Sequence, residues 1–315
     1  MPLLTRDEVR SAYRLLLDRE PDDGGLAHYL AAGERGMDLA GLRDAFLSSA
    51  EYRSRNVGSD QRIVDLGHAR VVVDAEELEF GRHIARYGSW EPHVMAILQR
   101  HLKPGDVYVD VGANVGVMAF TAAAAVGPQG RVIAFEPHPD NIRHFLSGVV
   151  VNGFDHVTLH GFALSDRQSV FSLVGTSNGY LMPGGQTVFQ TVALPGDPIL
   201  ADLARLDFLK MDIEGHEPQA LAGLDQVLRK HRPMVLAEFN PRCLRDHIGC
   251  PPEAFAAQLF ALTDRIEAIE HDGTPNLVSN PGELIDLWRR KNEEAVQTGM
   301  LPDGMLHFDL LFRIK

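Results

Sequence analysis

Apolar residues recur at helical spacing through Val9, Ala12, Tyr13, Leu16 and Leu17, behind a Thr5–Glu8 pair spaced as a capping box. Asp22-Asp23-Gly24-Gly25 breaks that face, and Leu26, Tyr29 and Leu30 resume it. Gly33 and Gly36 end the second segment, and Leu39, Leu42, Ala45 and Phe46 supply a third. Residues 1–55 are therefore expected to form a small helical bundle, and residues 56–88 a connector with one strand, His68–Val73. From Ser89 a helix is predicted through Trp90, Val94, Ile97, Leu98 and Leu102, closed by the turn Lys103-Pro104-Gly105-Asp106. The period then changes. Short apolar runs at Val107–Val111, Arg131–Phe135, Val157–His160, Phe208–Met211 and Met234–Phe239 alternate with helical stretches from Val115 and over Asn141–Val151. Val170–Val174 and Val188–Val192 read as an inserted hairpin, and strands near Arg265–Ile269 and His307–Phe312 close the chain. The order predicts a doubly wound, Rossmann-like α/β sheet with an antiparallel edge over residues 89–315, preceded by the small all-α domain.

Composition narrows the function classes. With 30 basic against 43 acidic residues, the formal charge of −13 disfavours a polyanion partner, and no Lys/Arg run offsets it. A nucleic-acid partner is therefore not expected. The two cysteines, Cys243 and Cys250, are too few for a disulfide framework or a four-cysteine zinc site and read as reduced thiols. The longest apolar stretch, Val117–Val126, is about half of a membrane span. Acids at Asp7 and Glu8 stand where a signal peptide needs an apolar core, so the expected location is cytoplasmic.

The most informative segment is Val109-Asp110-Val111-Gly112-Ala113-Asn114-Val115-Gly116. A strand ends in an acid, Gly112 makes a tight turn, and Gly116 brings the next helix close to the sheet. Exposed loop amides could receive a carboxylate, and Asp110 an ammonium group. A dinucleotide fingerprint would need glycines at positions 112, 114 and 117; Asn114 and Val117 depart from it. The next strand runs into Glu136 and Pro137, and an acid there can bind both hydroxyls of a ribose. Ribose plus amino acid is what S-adenosylmethionine presents.

On these residues the segment from Gly88 to about Asn240 resembles the FkbM-type family of S-adenosylmethionine-dependent methyltransferases. The resemblance is carried by Trp90-Glu91, Leu102 to Asp106, the Asp110–Gly116 loop, Phe135-Glu136-Pro137, Asn152-Gly153, Ala163 to Asp166, and Phe208 to Glu217. A departure is Leu194 followed by Pro195-Gly196, where the family usually carries a Leu-Asp pair. The resemblance implies a class I methyltransferase fold, with Gly112, Asn114 and Gly116 lining the methionine portion of the cofactor, Glu136 the ribose, and Ala163 with its neighbours the adenine; Ala113 and Pro137 are expected in the same cofactor site. Glu91, Asp110 and Asp212 complete the expected cofactor set. Nothing in the small bundle looks catalytic, so docking or oligomerisation is expected of it; most of residues 5–53 also resembles a bacterial helical domain of unknown function, a resemblance that implies no reaction.

Methyl transfer asks the protein to orient the acceptor and take its proton. Two readings of the strand ends compete. In one, Asp212, Glu214 or His216 is a general base; in the other, Asp212, Glu238 and Asn240 form an oxygen site for Mg²⁺ or a similar cation. A purely structural role, capping the next helix, is the alternative for Glu214 and His216. The turn Thr176–Tyr180 could belong to an acceptor lid or be a plain hairpin turn. The expected function is O-methylation of a small-molecule or glycan-like acceptor. The rivals are a nitrogen- or nucleic-acid-directed enzyme, which should show an Asn/Asp-Pro-Pro-aromatic sequence in place of Asp212-Ile213-Glu214-Gly215, and a non-catalytic cofactor-binding module.

Overall fold

A computed structural model describes residues 4–17, 19–47, 49, 51–52, 61–77, 80–174, 179–182 and 189–315. The chain divides into two units, Met1–Gly88 with Arg143–Asp155, and Ser89–Ile142 with His156–Lys315.

In the first unit the helical spacing becomes α1 (Arg6–Leu17), α2 (Asp23–Glu34) and α3 (Leu39–Leu47). The capping box forms as expected: Glu8 Oε2 accepts from the Thr5 amide at 2.7 Å, and Thr5 Oγ1 from the Glu8 amide at 3.2 Å. Val9, Tyr13, Leu26, Leu42 and Phe46 share one apolar core. A Cβ on Gly25 would lie 2.1 Å from the Tyr13 hydroxyl, so a side chain there would displace the tyrosine ring. The connector is richer than the single strand expected. Strands β1 (Gln61–Asp65) and β2 (Arg70–Asp74) pair antiparallel, with His68 in the turn between them, and α4 (Phe80–Tyr87) follows.

The second unit begins with α5 (Pro92–His101), three residues later than its apolar pattern suggested. Pro92 supplies the first helical residue, while Glu91 takes a left-handed conformation at φ 42°. Strands β3 (Val107–Val111), β4 (Arg131–Phe135) and β5 (Val157–His160) alternate along the chain with α6 (Val117–Val126) and α7 (Pro139–Asn152), which from Arg143 on belongs to the first unit. A second sheet follows from β6 (Ala163–Leu164), β7 (Ser169–Val174), β8 (Tyr180–Met182) and β9 (Phe189–Leu194), in the order β6-β9-β7-β8. The expected hairpin is its β7–β9 pair; Thr176–Asn178 of the candidate lid turn lie outside the described residues. After α8 (Gly196–Leu200) come β10 (Phe208–Met211), α9 (Glu217–Gly223), α10 (Asp225–His231), β11 (Met234–Phe239), α11 (Pro241–Ile248) and α12 (Pro252–Leu262). The chain closes with β12 (Ile266–Ile269), β13 (Pro275–Val278), α13 (Pro281–Gln297) and β14 (Phe308–Arg313).

The main sheet has the order β13-β12-β14-β11-β10-β3-β4-β5. Its β11 to β5 portion is parallel and β14, β12 and β13 are antiparallel, the doubly wound arrangement with an antiparallel edge. Strand β13 went unpredicted because Pro275 and exposed Leu277 give it no buried alternation. Val109, Ile133, Leu209, Val235 and Phe239 anchor the core, so the parallel strands are held rigidly and their carboxyl ends, reached at Asp110, Glu136, Asp212 and Glu238, share one edge. Among the described residues no helix is long and apolar enough to cross a membrane.

Candidate functional site

The loop after β3 is built from inside. Gly112 has φ 84° and Asn114 φ 50°, and a Cβ on Gly112 would lie 2.0 Å from the Asp212 carbonyl oxygen. Glycine is required at 112 by contact with the loop after β10, independently of any ligand. The Gly112 and Ala113 amides both donate to the Phe135 carbonyl, at 3.0 and 3.1 Å. The Asn114 amide donates to Glu136 Oε2 at 2.8 Å, Val115 to Asn114 Oδ1 at 2.8 Å, and Gly116 to the Ala113 carbonyl at 2.9 Å. The expectation that these amides stand open for a carboxylate is therefore corrected: from Gly112 to Gly116 each already has an acceptor. The backbone at φ > 0 turns them inward, onto β4 and its glutamate.

Glu136 is the hub of this corner. Its Oε1 accepts from the His138 amide at 2.8 Å and from Asn141 Nδ2 at 3.3 Å, in addition to the Asn114 bond on Oε2. Burial raises its pKa to about 7 against the pull of those hydrogen bonds. Pro137 follows, partly buried, and turns the chain into α7. Ala163 is buried with Leu173, Leu181 and Ala193 in the core of the second sheet.

The strand ends of β3, β10 and β11 assemble a charged cluster. Asp110 is fully buried, and neither carboxylate oxygen has a hydrogen-bond partner among the described residues. Lys210, its partner in the β3–β10 register, brings Nζ to 3.9 Å from Asp110 Oδ1 and donates to Asp212 Oδ2 at 3.1 Å. Burial raises Asp110 to about 6, with the Lys210 charge opposing it. Burial pulls the Lys210 pKa down, but Asp212, Asp110 and Glu91 more than offset that and hold it as an ammonium. Glu91, in its left-handed turn, rises to about 8 through burial and then through the negative charges of Asp212 and Asp309.

The loop after β10 has its own hub, Glu217. This buried carboxylate accepts from the Ile213 amide at 2.8 Å and the Gly215 amide at 3.3 Å, and burial lifts it to about 8. Glu217 thereby organises the loop, the task that the sequence reading offered to Glu214 or His216. Glu214 has φ 55°, carries a thiol contact from Cys243 Sγ at 3.4 Å, and its carbonyl meets His247 Nδ1 at 2.7 Å. Tyr180 stacks on His247, with 3.7 Å between ring centres.

His216 occupies the N-cap position of α9 without making a side-chain cap. Its Nε2 meets Ser165 Oγ at 3.0 Å, its ring packs on Phe171, and burial lowers its pKa to about 4. A buried imidazole this weakly basic is unsuited to general-base work at neutral pH.

The divalent-cation set also does not fit. Asn240 turns Oδ1 back to accept from the Cys243 amide at 3.2 Å, capping α11, and presents Nδ2 to Glu238 Oε1 at 3.3 Å. A metal needs the oxygen end of that amide. The Lys210 ammonium already holds Asp212, and among the described residues no three His, Cys, Asp or Glu side chains gather in metal-binding geometry. Glu238 is instead buried with Oε2 unpartnered, opposite Asp309, which pairs with His93 Nε2 at 2.8 Å.

The sequence reading missed Lys210, Glu217, His93 and Asp309 as members of this edge. Lys210 carried a signal, a lysine inside an apolar strand. His93 and Asp309 are 216 residues apart and carried none.

For S-adenosylmethionine the residues present do fit. The unpartnered Asp110 oxygens and acid-rich surroundings suit a cationic ligand, and Glu136 stands at the end of the neighbouring strand where ribose hydroxyls meet an acid in sheets of this kind.

Comparison with known proteins finds methyltransferases. The chain is 26% identical over 147 residues to the hexuronic acid methyltransferase AglP of Haloferax volcanii, covering 44% of this chain and 58% of that protein. It is 25% identical over 230 residues to the arsenite methyltransferase of Halobacterium salinarum, covering 70% and 53%. The chain thus spans somewhat more than half the length of the curated relatives it matches. Among solved structures, methyltransferase FkbM from Methylobacillus flagellatus aligns with TM-score 0.34 and 20% identity, over 73% of this chain and 48% of that one. Residues 110–250, somewhat under half of the chain, match the family described as the methyltransferase FkbM domain.

Proposed function

We propose that the protein is an S-adenosylmethionine-dependent O-methyltransferase acting on a hydroxyl of a small-molecule or glycan-like acceptor. The observation that carries this reading is the convergence of Glu91, Asp110 and Asp212 around Lys210 at the carboxyl edge of the sheet, one strand from Glu136. When bound, the cofactor supplies an electrophilic methyl group on a sulfonium sulfur. Glu136 holds the ribose, and the buried acids offset the ligand's positive charge. Asp212, the more exposed partner of its ion pair with Lys210, takes the acceptor's hydroxyl proton at Oδ1 or Oδ2. His216 stays neutral and structural. The Tyr180–His247 stack beside Glu214 offers a flat face of the kind that sugar rings pack against. The glycan preference draws its support from the AglP relative.

Calorimetry with S-adenosylhomocysteine, followed by transfer of a labelled methyl group to hexuronic-acid-bearing and neutral oligosaccharides, tests the proposal. The expected result is micromolar binding and label on a sugar oxygen. No cofactor binding, or label appearing only on amines or RNA, would overturn it.

A further inference from the structure

The charged cluster has one resident cation and more carboxylates than that cation satisfies. An ammonium has three N–H donors. Lys210 places one on Asp212 at 3.1 Å and stands 3.9 Å from Asp110, whose oxygens accept no hydrogen bond among the described residues. Glu91, from the start of α5, adds a further carboxyl within electrostatic range, one that burial and its acidic neighbours keep largely protonated at neutral pH. Lys210 is buried, 6% exposed, and lies on a core strand in register with Asp110, so it cannot swing away without leaving the sheet.

A divalent ion held by Asp212, Glu238 and Asn240 together would have to break bonds that two of the three already make. Asp212 Oδ2 is on Lys210, and Asn240 Oδ1 is on the Cys243 amide. The ion would also sit beside a fixed positive charge in a poorly solvated site, where repulsion between cations is strong. An ammonium can do what a metal would do here for the proton acceptor: fix the carboxylate's direction and keep it ionised through direct contact.

We infer that Lys210 is the built-in cation of this site, a positioning residue that holds Asp212 toward the acceptor hydroxyl, and that methyl transfer by this chain needs no divalent metal. The inference rests on the reading of this edge as the methyl-transfer site.

The test has a binding arm and a turnover arm. In an electron paramagnetic resonance titration with Mn²⁺, with and without S-adenosylhomocysteine, the native chain shows no saturable site up to about 1 mM. Turnover of the labelled oligosaccharide stays within about twofold of the untreated value after exhaustive chelation. Lys210→Met lowers kcat by about 10²–10³ while the KM values for cofactor and acceptor stay within about threefold, and Lys210→Arg recovers part of the loss. A bound Mn²⁺ that disappears in Asp212→Asn, activity lost to chelator and restored by Mg²⁺, or native kcat in Lys210→Met would each overturn the inference. Failure of the native chain to bind S-adenosylhomocysteine would instead refute the function reading, and the Mn²⁺ titration of the native chain would still decide the cation.

Discussion

The loops that follow β3 and β10 solve one problem in two ways. Each leaves its strand through an acid, passes a non-glycine residue at positive φ (Asn114, Glu214), and is pinned by a buried glutamate that accepts backbone amides. The pins differ in origin. Glu217 lies inside its own loop, four residues from Ile213, so that corner is self-contained. Glu136 belongs to the next strand, 22 residues from Asn114, and ties two strand ends together. A local pin sets shape; a cross-strand pin also places its carboxylate between neighbouring strands, where a ligand can compete for it. The first loop should therefore respond to ligand more than the second.

The strongest way to break the comparison is to force the two loops apart. Gly112→Val places a side chain against the Asp212 carbonyl at a φ of 84° that valine strongly disfavours. The expected cost is at least about 3 kcal/mol, read by urea denaturation, with loss of S-adenosylhomocysteine binding. A variant with native stability would show that the loops do not press on each other. Next in size is Glu217→Ala, which leaves the Ile213 and Gly215 amides without their acceptor and should cost about 2–4 kcal/mol. Its distinguishing partner is Glu217→Gln, which keeps an acceptor oxygen and should hold cofactor affinity within about twofold. Glu136→Gln, the matching change in the other loop, should weaken S-adenosylhomocysteine about tenfold in calorimetry, roughly 1.4 kcal/mol. Equal affinities in the two glutamine variants would erase the proposed difference.

The smallest effect is on pH dependence. Glu136 and Glu217 titrate at about 7 and about 8 in the fold, above a free carboxyl, so the folded state favours their protonated forms. Their stabilising contribution is full below the free carboxyl's pKa and is lost as pH rises through 7 and 8; Asp110 and Glu91, at about 6 and about 8, act in the same sense. His216, lowered to about 4, works oppositely and costs stability as pH falls below its free value. The ligand-free melting temperature should therefore fall by a few °C between pH 6 and pH 8.5. Glu217→Gln should flatten the upper part of that fall more than Glu136→Gln does. A melting temperature that rises across the interval would contradict the assigned directions.

Much of the fold was legible because its elements are local. The parallel strands from β3 to β11 are short apolar runs bounded by turns, and most match their sequence ranges closely. The first strand of the connector, α4 and β13 were not foreseen, since their apolar residues are few or meet their partners only after folding. At the site, Asp110, Glu136 and Asp212 were legible as acids near strand ends, and the structure sets them at the carboxyl edge of the sheet. His216 reads in sequence as a general base or a helix cap; what encloses it, Ser165 and Phe171, comes from distant segments.

Sequence by itself determined the alternation of strands and helices, the glycine loop, and the acids at the strand ends, because periodicity and strand-end chemistry are properties of neighbouring residues. Tertiary structure alone decided what those acids face. It put Lys210 between Asp110 and Asp212, turned Asn240 onto the Cys243 amide, and brought His93 to Asp309. The physical reason is that charge balance and hydrogen-bond satisfaction in a buried site depend on partners that β-sheet register and chain crossovers supply from distant segments.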